Sequence, residues 1–156
     1  GLMKEQAGTI LWDGSPMGRK KRRQKAFLIM QDVNLQLFGD SVLTEARLGS
    51  TATEQEALAA LERMDLAQYA QAHPLALSGG QKQRLAIVDG CLSGKELLIF
   101  DEPTSGLDYG HMLEVSRRLR ELAEQGLCVV VITHDGEFLR ESGAWTVDWL
   151  PNDKQP

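Results

Sequence analysis

Cysteine is scarce: the 156 residues contain only Cys91 and Cys128. Their separation fits neither metal-ligand spacing nor a disulfide framework, so a reducing compartment is the default. Both stand in apolar contexts and are expected to be buried, inert thiols. Long apolar runs are missing too. None approaches a membrane span, and the N-terminus carries no secretory pattern. Nor is there an excess of basic charge, since 17 Lys and Arg stand against 22 Asp and Glu for a net charge of −5. That balance argues against nucleic-acid binding by overall charge and leaves only a local basic patch to consider. Internal repeats, low-complexity tracts and sustained heptads are all absent. What remains is 42% hydrophobic and 25% charged residues, a globular composition at the length of one domain. The chain begins with Gly1 rather than Met, which suggests a cut end.

Hydrophobic periodicity orders the chain. Gly8 to Trp12 reads as a short strand closed by an Asp13-Gly14 turn. Six basic residues fall within Arg19–Lys25; given the acidic total they are expected to form a solvated helix face rather than a nucleic-acid site. Ala26–Met30 is a continuous apolar run, hence a buried strand ending at Gln31. Helical patterns cover Ser41 to about Leu48 and Thr53 to Ala70, where Leu58, Leu61, Met64 and Leu66 are the apolar positions. Ser78 is placed to cap a helix over Gly79–Leu92, with Leu85, Ile87 and Val88 for its buried side. Leu97–Phe100 is a second buried strand, followed by a helix over 110–125, a strand over Leu127–Thr133 and a short helix near Glu137–Glu141. Trp145–Leu150 is expected to close the chain as a last strand, with Trp145 and Trp149 on one side of it. Apolar strands alternating with helices predict an α/β fold with a mainly parallel sheet, into which a helical subdomain over about 40–92 is inserted. The portion over about 93–150 carries the later strands.

Ligand chemistry in such sheets gathers at the carboxyl ends of the strands. Three apolar strands end there in polar groups: Gln31 after Met30, Asp101-Glu102 after Phe100, and Thr133-His134 after Ile132. A carboxylate at the end of a buried strand is rigidly held and suited to Mg²⁺, directly or through water. A second, adjacent carboxylate can orient or deprotonate a water, and a histidine on a neighbouring strand can bond a terminal phosphate. That set suits phosphoryl transfer to water. Separately, Ser78-Gly79-Gly80 at the mouth of a helix leaves backbone N–H groups unobstructed, which makes an anion site. Gly-Gly in a helix start lowers stability and therefore needs a reason. His73 and His111 have no comparable setting and are taken as structural.

Together these residues resemble one family closely, the ATP-binding cassette ATPases. Leu77–Gln81 matches its signature motif, and Leu97–Glu102 its Walker B strand with the catalytic glutamate. Ser105–Asp108 matches the D-loop, His134 the switch histidine and Gln31 the Q-loop glutamine, all in family order. The resemblance implies a P-loop NTPase-like α/β fold acting on ATP with Mg²⁺. It implies that Asp101 holds magnesium, that Glu102 is the general base, and that His134 contacts the γ-phosphate. Gln31 would touch magnesium or the attacking water and sense a membrane partner. Two cassettes sandwich two nucleotides in this family, so Ser78, Gly79, Gly80 and Gln81 would cap ATP held mainly by the other subunit. Asp108 would help join the two sites.

One family element is missing. A P-loop, Gly-x-x-x-x-Gly-Lys-Ser/Thr, cradles phosphates with backbone and reaches the β and γ oxygens with Lys. The only Gly-Lys pair here is Gly94-Lys95, followed by Glu96, and Asp89 stands where the first Gly belongs. Only thirty residues precede Gln31, so the pattern is that of a cassette whose N-terminal strands and P-loop are absent. The chain alone is expected to bind ATP weakly and not to hydrolyse it. Strands flanking Leu97–Phe100 are expected to be partly gone, leaving open edges prone to aggregation or strand exchange.

The stretch Gln36-Leu37-Phe38, followed by Val42 and Glu45, resembles the ATPases of energy-coupling-factor importers, which take up vitamins, cobalt or nickel. That resemblance implies an ATPase at the inner face of the cell membrane, facing an integral-membrane subunit and paired with an identical or different second ATPase subunit, with no nucleic acid involved. Two alternatives stand beside it: a soluble, non-transport cassette ATPase, and a non-enzymatic module that donates its signature helix to another ATP site.

Overall fold

The computed structural model describes residues 3–148. A two-stranded hairpin opens it: β1 (Leu11–Trp12) pairs antiparallel with β2 (Ser15–Pro16) around Asp13-Gly14. Both turn residues have positive φ, +47° and +76°, as a two-residue hairpin turn demands. The strand expected over Gly8–Trp12 is thus confined to its last two residues. α1 (Arg19–Lys25) follows, and most of its cations are solvated. Arg22 is the exception: it is buried, reaches both Glu5 carboxylate oxygens (2.8 and 3.2 Å) and donates to the Met17 carbonyl. This partner holds the Glu5 carboxyl below its ordinary range.

The main sheet contains β3 (Ala26–Ile29), β4 (Leu97–Asp101) and β5 (Cys128–Ile132), all parallel and in that spatial order. Ile29 stands opposite Phe100, and Asp101 opposite Ile132. Leu97–Phe100, whose flanking strands are expected from the sequence to be partly gone, is hydrogen-bonded to a strand on each side. Among the described residues the edge strands of this sheet are β3 and β5. Every residue of β5 is apolar, yet Cys128, Val130 and Ile132 are exposed. An all-apolar run shows that a strand forms, but it does not identify which strand will be central. Cys128 is for the same reason not the buried thiol expected of it, whereas Cys91 is largely buried and its thiol is pushed up to about 11 by loss of water.

Helices connect β3 to β4. Asp32 caps a short 3₁₀ turn (Val33–Leu35), and Ser41 caps α2 (Val42–Arg47). Thr53 and Glu56 form a reciprocal capping box on α3 (Glu54–Arg63). The single helix expected to Ala70 breaks after Arg63, where Asp65 adopts φ +53°. Leu61 and Leu66 are both fully buried. Five residues apart on a straight helix, they would face different ways, and the break returns Leu66 to the core through its N–H bond to the Leu61 carbonyl, 2.8 Å. α4 (Gly79–Leu92) lies against the sheet. Its Gly90 faces the sheet, where a Cβ would make ordinary van der Waals contact with the Ile29 and Leu98 side chains at 3.5 Å. β4 connects to β5 through α5 (Tyr109–Glu124), and α6 (Gly136–Ser142) follows. Trp145–Asp148 form no strand, and Trp145 is fully solvated. The rest of that expected strand, Trp149 and Leu150, lies outside the described residues. Among the described residues no helix is long and apolar enough to cross a membrane.

The segment after β3 is pinned from α2. Buried Glu45 accepts hydrogen bonds from the Phe38 N–H (2.6 Å) and from the Gly39 N–H, while the Phe38 ring stays 75% exposed. A Cβ on Gly39 would sit 2.7 Å from the Glu45 backbone nitrogen. Gly39→Ala is accordingly expected to destabilise the fold by about 1–3 kcal/mol, because backbone rather than a flexible side chain must give way. Urea unfolding of the two proteins checks this, and equal midpoints would contradict it.

Candidate functional site

Three parallel strands bring their carboxyl ends to one edge, where Gln31, Asp101-Glu102 and Thr133-His134 emerge. Glu102 takes φ +49°. For a non-glycine residue this left-handed conformation stores about 1–3 kcal/mol and persists only where neighbours over-determine it. Here the Glu102 N–H is bonded to the Ile132 carbonyl at 2.8 Å, and the following Pro103 is buried. The kink separates two consecutive carboxylates. Asp101 has no hydrogen-bond or ion-pair partner among the described residues. Glu102 has three: its Oε2 accepts from the Thr133 hydroxyl (3.0 Å), and its Oε1 meets the His134 N–H (3.1 Å) and the His134 ring Nδ1 (2.6 Å). The bond to Glu102, and then its charge, raise the His134 pKa above the ordinary imidazole value.

At the start of α4, Ser78 and Gln81 close a capping box. The Ser78 Oγ accepts from the Gln81 N–H and the Gln81 Oε1 from the Ser78 N–H, 3.4 and 2.8 Å. The N–H groups of Gly79 and Gly80 are left without an acceptor among the described residues, as expected of a helix N-terminus. A Cβ at either glycine would meet nothing within 4 Å, and neither glycine has a positive φ. Neither packing nor backbone conformation within this chain therefore explains the pair.

Between β4 and α5 the loop 102–108 is tightly tied. The Ser105 N–H bonds the Glu102 carbonyl and the Leu107 N–H the Thr104 carbonyl, 3.1 and 3.0 Å. Gly106 takes φ +75°. Asp108 caps α5 through the His111 N–H (3.0 Å) and also contacts the His111 ring (2.7 Å), which keeps its carboxyl below the ordinary range. His111 thus serves Asp108, and His73 accepts from the Leu75 N–H to cap the 3₁₀ turn Pro74–Ala76.

The chemistry of the donor set decides what could bind. No cluster of three or more His, Cys, Asp or Glu suited to a metal exists among the described residues. Mg²⁺ in nucleotide sites keeps several waters and takes one or two protein carboxylates plus substrate phosphates. Unpartnered Asp101 at a rigid strand end fits that requirement, and the open Gly79–Gly80 amides fit an anion. Of the residues singled out in the sequence, the structure joins Glu102 to His134. It leaves Gln31 exposed at the same sheet edge without a bond to either. The residues that sequence reasoning missed are Thr104 and Asp135. Thr104 is buried and donates its hydroxyl to Asp135 at 2.8 Å. The available signal was positional, since small hydroxyl and carboxylate residues follow the two site-bearing strands directly.

Known proteins resemble this chain over most of its length. The family model described as ABC transporter matches residues 1–105. An ABC transporter ATP-binding protein of Treponema denticola is 50% identical over 141 residues, covering 90% of this chain and 29% of that protein. The energy-coupling factor transporter ATP-binding protein EcfA of Methanosphaera stadtmanae is 34% identical, covering 89% of this chain and 54% of that protein. The solved structure of CbiO1 from Clostridium perfringens, part of the ABC transporter complex CbiONQ, superposes with a TM-score of 0.75 at 32% identity. That match covers 86% of this chain and 59% of CbiO1. The chain therefore spans only part of the length of the relatives it matches.

Proposed function

The chain belongs to the ABC transporter family of ATP-binding proteins and has its P-loop NTPase-like α/β fold, and on that premise we propose that it is the part of a cassette ATPase that carries the general base. The whole protein would couple Mg-ATP hydrolysis to transport, with import of a vitamin or a metal ion as the favoured direction and cargo. The observation that carries the reading is the pair Glu102–His134 beside an unpartnered Asp101 at the carboxyl end of the central strand.

Each role follows from the local chemistry. Asp101 would hold magnesium, directly or through water, and the metal when bound would neutralise charge on the phosphates. Glu102 takes a proton from the attacking water at Oε2, which accepts only from the Thr133 hydroxyl and keeps a free lone pair, whereas Oε1 is engaged twice by His134. His134, once released, donates to a terminal phosphate oxygen. Gln31 orients the water or completes the magnesium shell. The free amides of Gly79 and Gly80, with Ser78 and Gln81 fixing the helix mouth, cap a nucleotide held by a second ATPase subunit. Their unexplained openness supports that reading. Asp108, at the head of α5, stands where the two subunits would meet. The helices over 40–92 form the subdomain that carries this cap, and 93–150 the hydrolytic portion.

Exposed Phe38, projected by the Glu45 clamp, supports docking to an integral-membrane subunit. The relatives EcfA and CbiO1, by their names, belong to such transporters, which favours a place at the inner membrane face. The direct test joins residues 1–156 to a preceding P-loop segment and measures phosphate release from Mg-ATP. The expected result is hydrolysis by the longer protein and none by residues 1–156 alone. A longer, folded protein that neither binds nor hydrolyses ATP would overturn the reading.

A further inference from the structure

A closed ring of hydrogen bonds surrounds Pro103. The Thr104 hydroxyl donates to Asp135 Oδ2 at 2.8 Å, and the Asp135 N–H donates to the Thr133 hydroxyl at 3.0 Å. The Thr133 hydroxyl in turn donates to Glu102 Oε2 at 3.0 Å, and the chain returns from Glu102 through Pro103 to Thr104. The ring has a fixed direction. Because the Thr133 oxygen accepts from the Asp135 N–H, its own proton is free to point at Glu102, and each bond polarises the next. Asp135 also accepts from the Glu137 and Phe138 N–H groups at 3.0 and 3.1 Å, so its position is set by the first turn of α6. Those bonds hold its carboxyl below the ordinary range and keep it an acceptor. Thr104 is 4% exposed, so its hydroxyl cannot turn to water if Asp135 is lost.

We propose that Thr104 and Asp135 are positioning residues for the Glu102–His134 pair. The argument rests on the backbone at Glu102. A non-glycine residue at φ +49° relaxes unless it is held from more than one side. Loop 102–104 and loop 133–135 are stitched at two rungs, Glu102 to Thr133 and His134, and Thr104 to Asp135. Proline between the rungs fixes one backbone angle and transmits displacement of one rung to the other. Without the second rung, Glu102 keeps its backbone bond to Ile132 but loses the support beyond Pro103, and its carboxylate is free to leave His134.

This rests on the reading of Glu102 and His134 as the hydrolytic pair, but its test needs no ATP. The imidazole of His134 is followed by NMR as a function of pH in residues 1–156, in Thr104→Val and in Thr104→Ser. Valine keeps the shape and removes the donor, whereas serine keeps the donor. The expected result is that the His134 titration moves down toward an ordinary imidazole in Thr104→Val and returns to the parent position in Thr104→Ser. His73 and His111 serve as internal controls and stay in place. Should Thr104→Val lower the melting temperature while His134 titrates as in the parent, the positioning role is overturned and Thr104 is a packing residue only. If Thr104→Val fails to fold, Thr104→Ala supplies the same measurement. It removes the donor and keeps the Asp135 charge, which itself raises the His134 titration, so His134 should again move down, and an unmoved titration is contrary. Failure of the ATPase reading would leave these titrations untouched.

Discussion

Glu102→Gln is expected to abolish turnover in the P-loop-containing protein while leaving nucleotide binding in place. Glutamine is nearly isosteric with glutamate, and its carbonyl oxygen can still accept from the Thr133 hydroxyl or from the His134 N–H, so the geometry of the strand end survives. What it cannot do is take a proton. General-base catalysis contributes about 10²–10⁴ in rate, which sets the expected loss at about a hundredfold or more. The substitution has a second, independent consequence. In the parent, the bond to Glu102 raises the His134 pKa. An imidazole whose folded value is raised contributes its stabilisation at pH below its ordinary titration, and loses it as pH rises through the folded value. In Glu102→Gln the charge is gone, so the titration falls toward the ordinary value and that pH-dependent contribution shrinks. Phosphate release at saturating Mg-ATP measures the first effect and His134 NMR the second. A variant that keeps more than about a tenth of parental turnover would exclude Glu102 as the base.

The sequence made the site legible because its chemistry sits at strand ends. Gln31 and Asp101 follow apolar runs directly, and Glu102 and His134 come one residue later, so parallel pairing of those runs was enough to bring them to one edge. One cap was legible as well: Ser78 is the N-cap expected of it, accepting from the Gln81 amide. The capping by Ser41, Thr53 and Asp108 was not read from the sequence. What could not be read was anything set by two elements meeting. The break at Asp65 follows from where Leu66 must go, which no local pattern records. The burial of Arg22 depends on Glu5, seventeen residues earlier. The Glu102–His134 contact depends on register between β4 and β5, and on a strained φ that a glutamate would not adopt on its own. The exposure of Cys128 depends on β5 lying at the sheet edge, although its sequence is as apolar as that of the central strand.

Asp89 is the residue whose consequence is largest and whose sequence context said least. It lies in α4 among buried neighbours, and its Oδ1 has no hydrogen-bond partner and no accessible surface. Loss of water, with the nearby Glu45 carboxylate on α2 as the second cause, pushes its pKa up to about 8. An ordinary aspartate in the unfolded chain titrates near 3.8. Between those two values the unfolded chain has released a proton that the folded chain retains, so stability is full below about pH 4 and declines as pH rises toward 8. Each unit of pH across that window costs about 1.4 kcal/mol from this group, up to about 5 kcal/mol at its upper end. Asp89→Asn keeps the shape of the neutral acid, adds one N–H donor and cannot ionise. The variant is therefore expected to match the parent near pH 4 within about 1 kcal/mol and to exceed it by several kcal/mol at pH 8. Carboxylates held below their ordinary range, Glu5, Asp108 and Asp135, act in the opposite direction, with stability lost as pH falls. They are common to both proteins and cancel in the difference. Urea unfolding of parent and variant at pH 4.5, 6 and 8 makes the comparison. A stability difference that stays constant across the three would mean that Asp89 ionises normally in the fold, through water reaching Oδ1 from the side of Glu45.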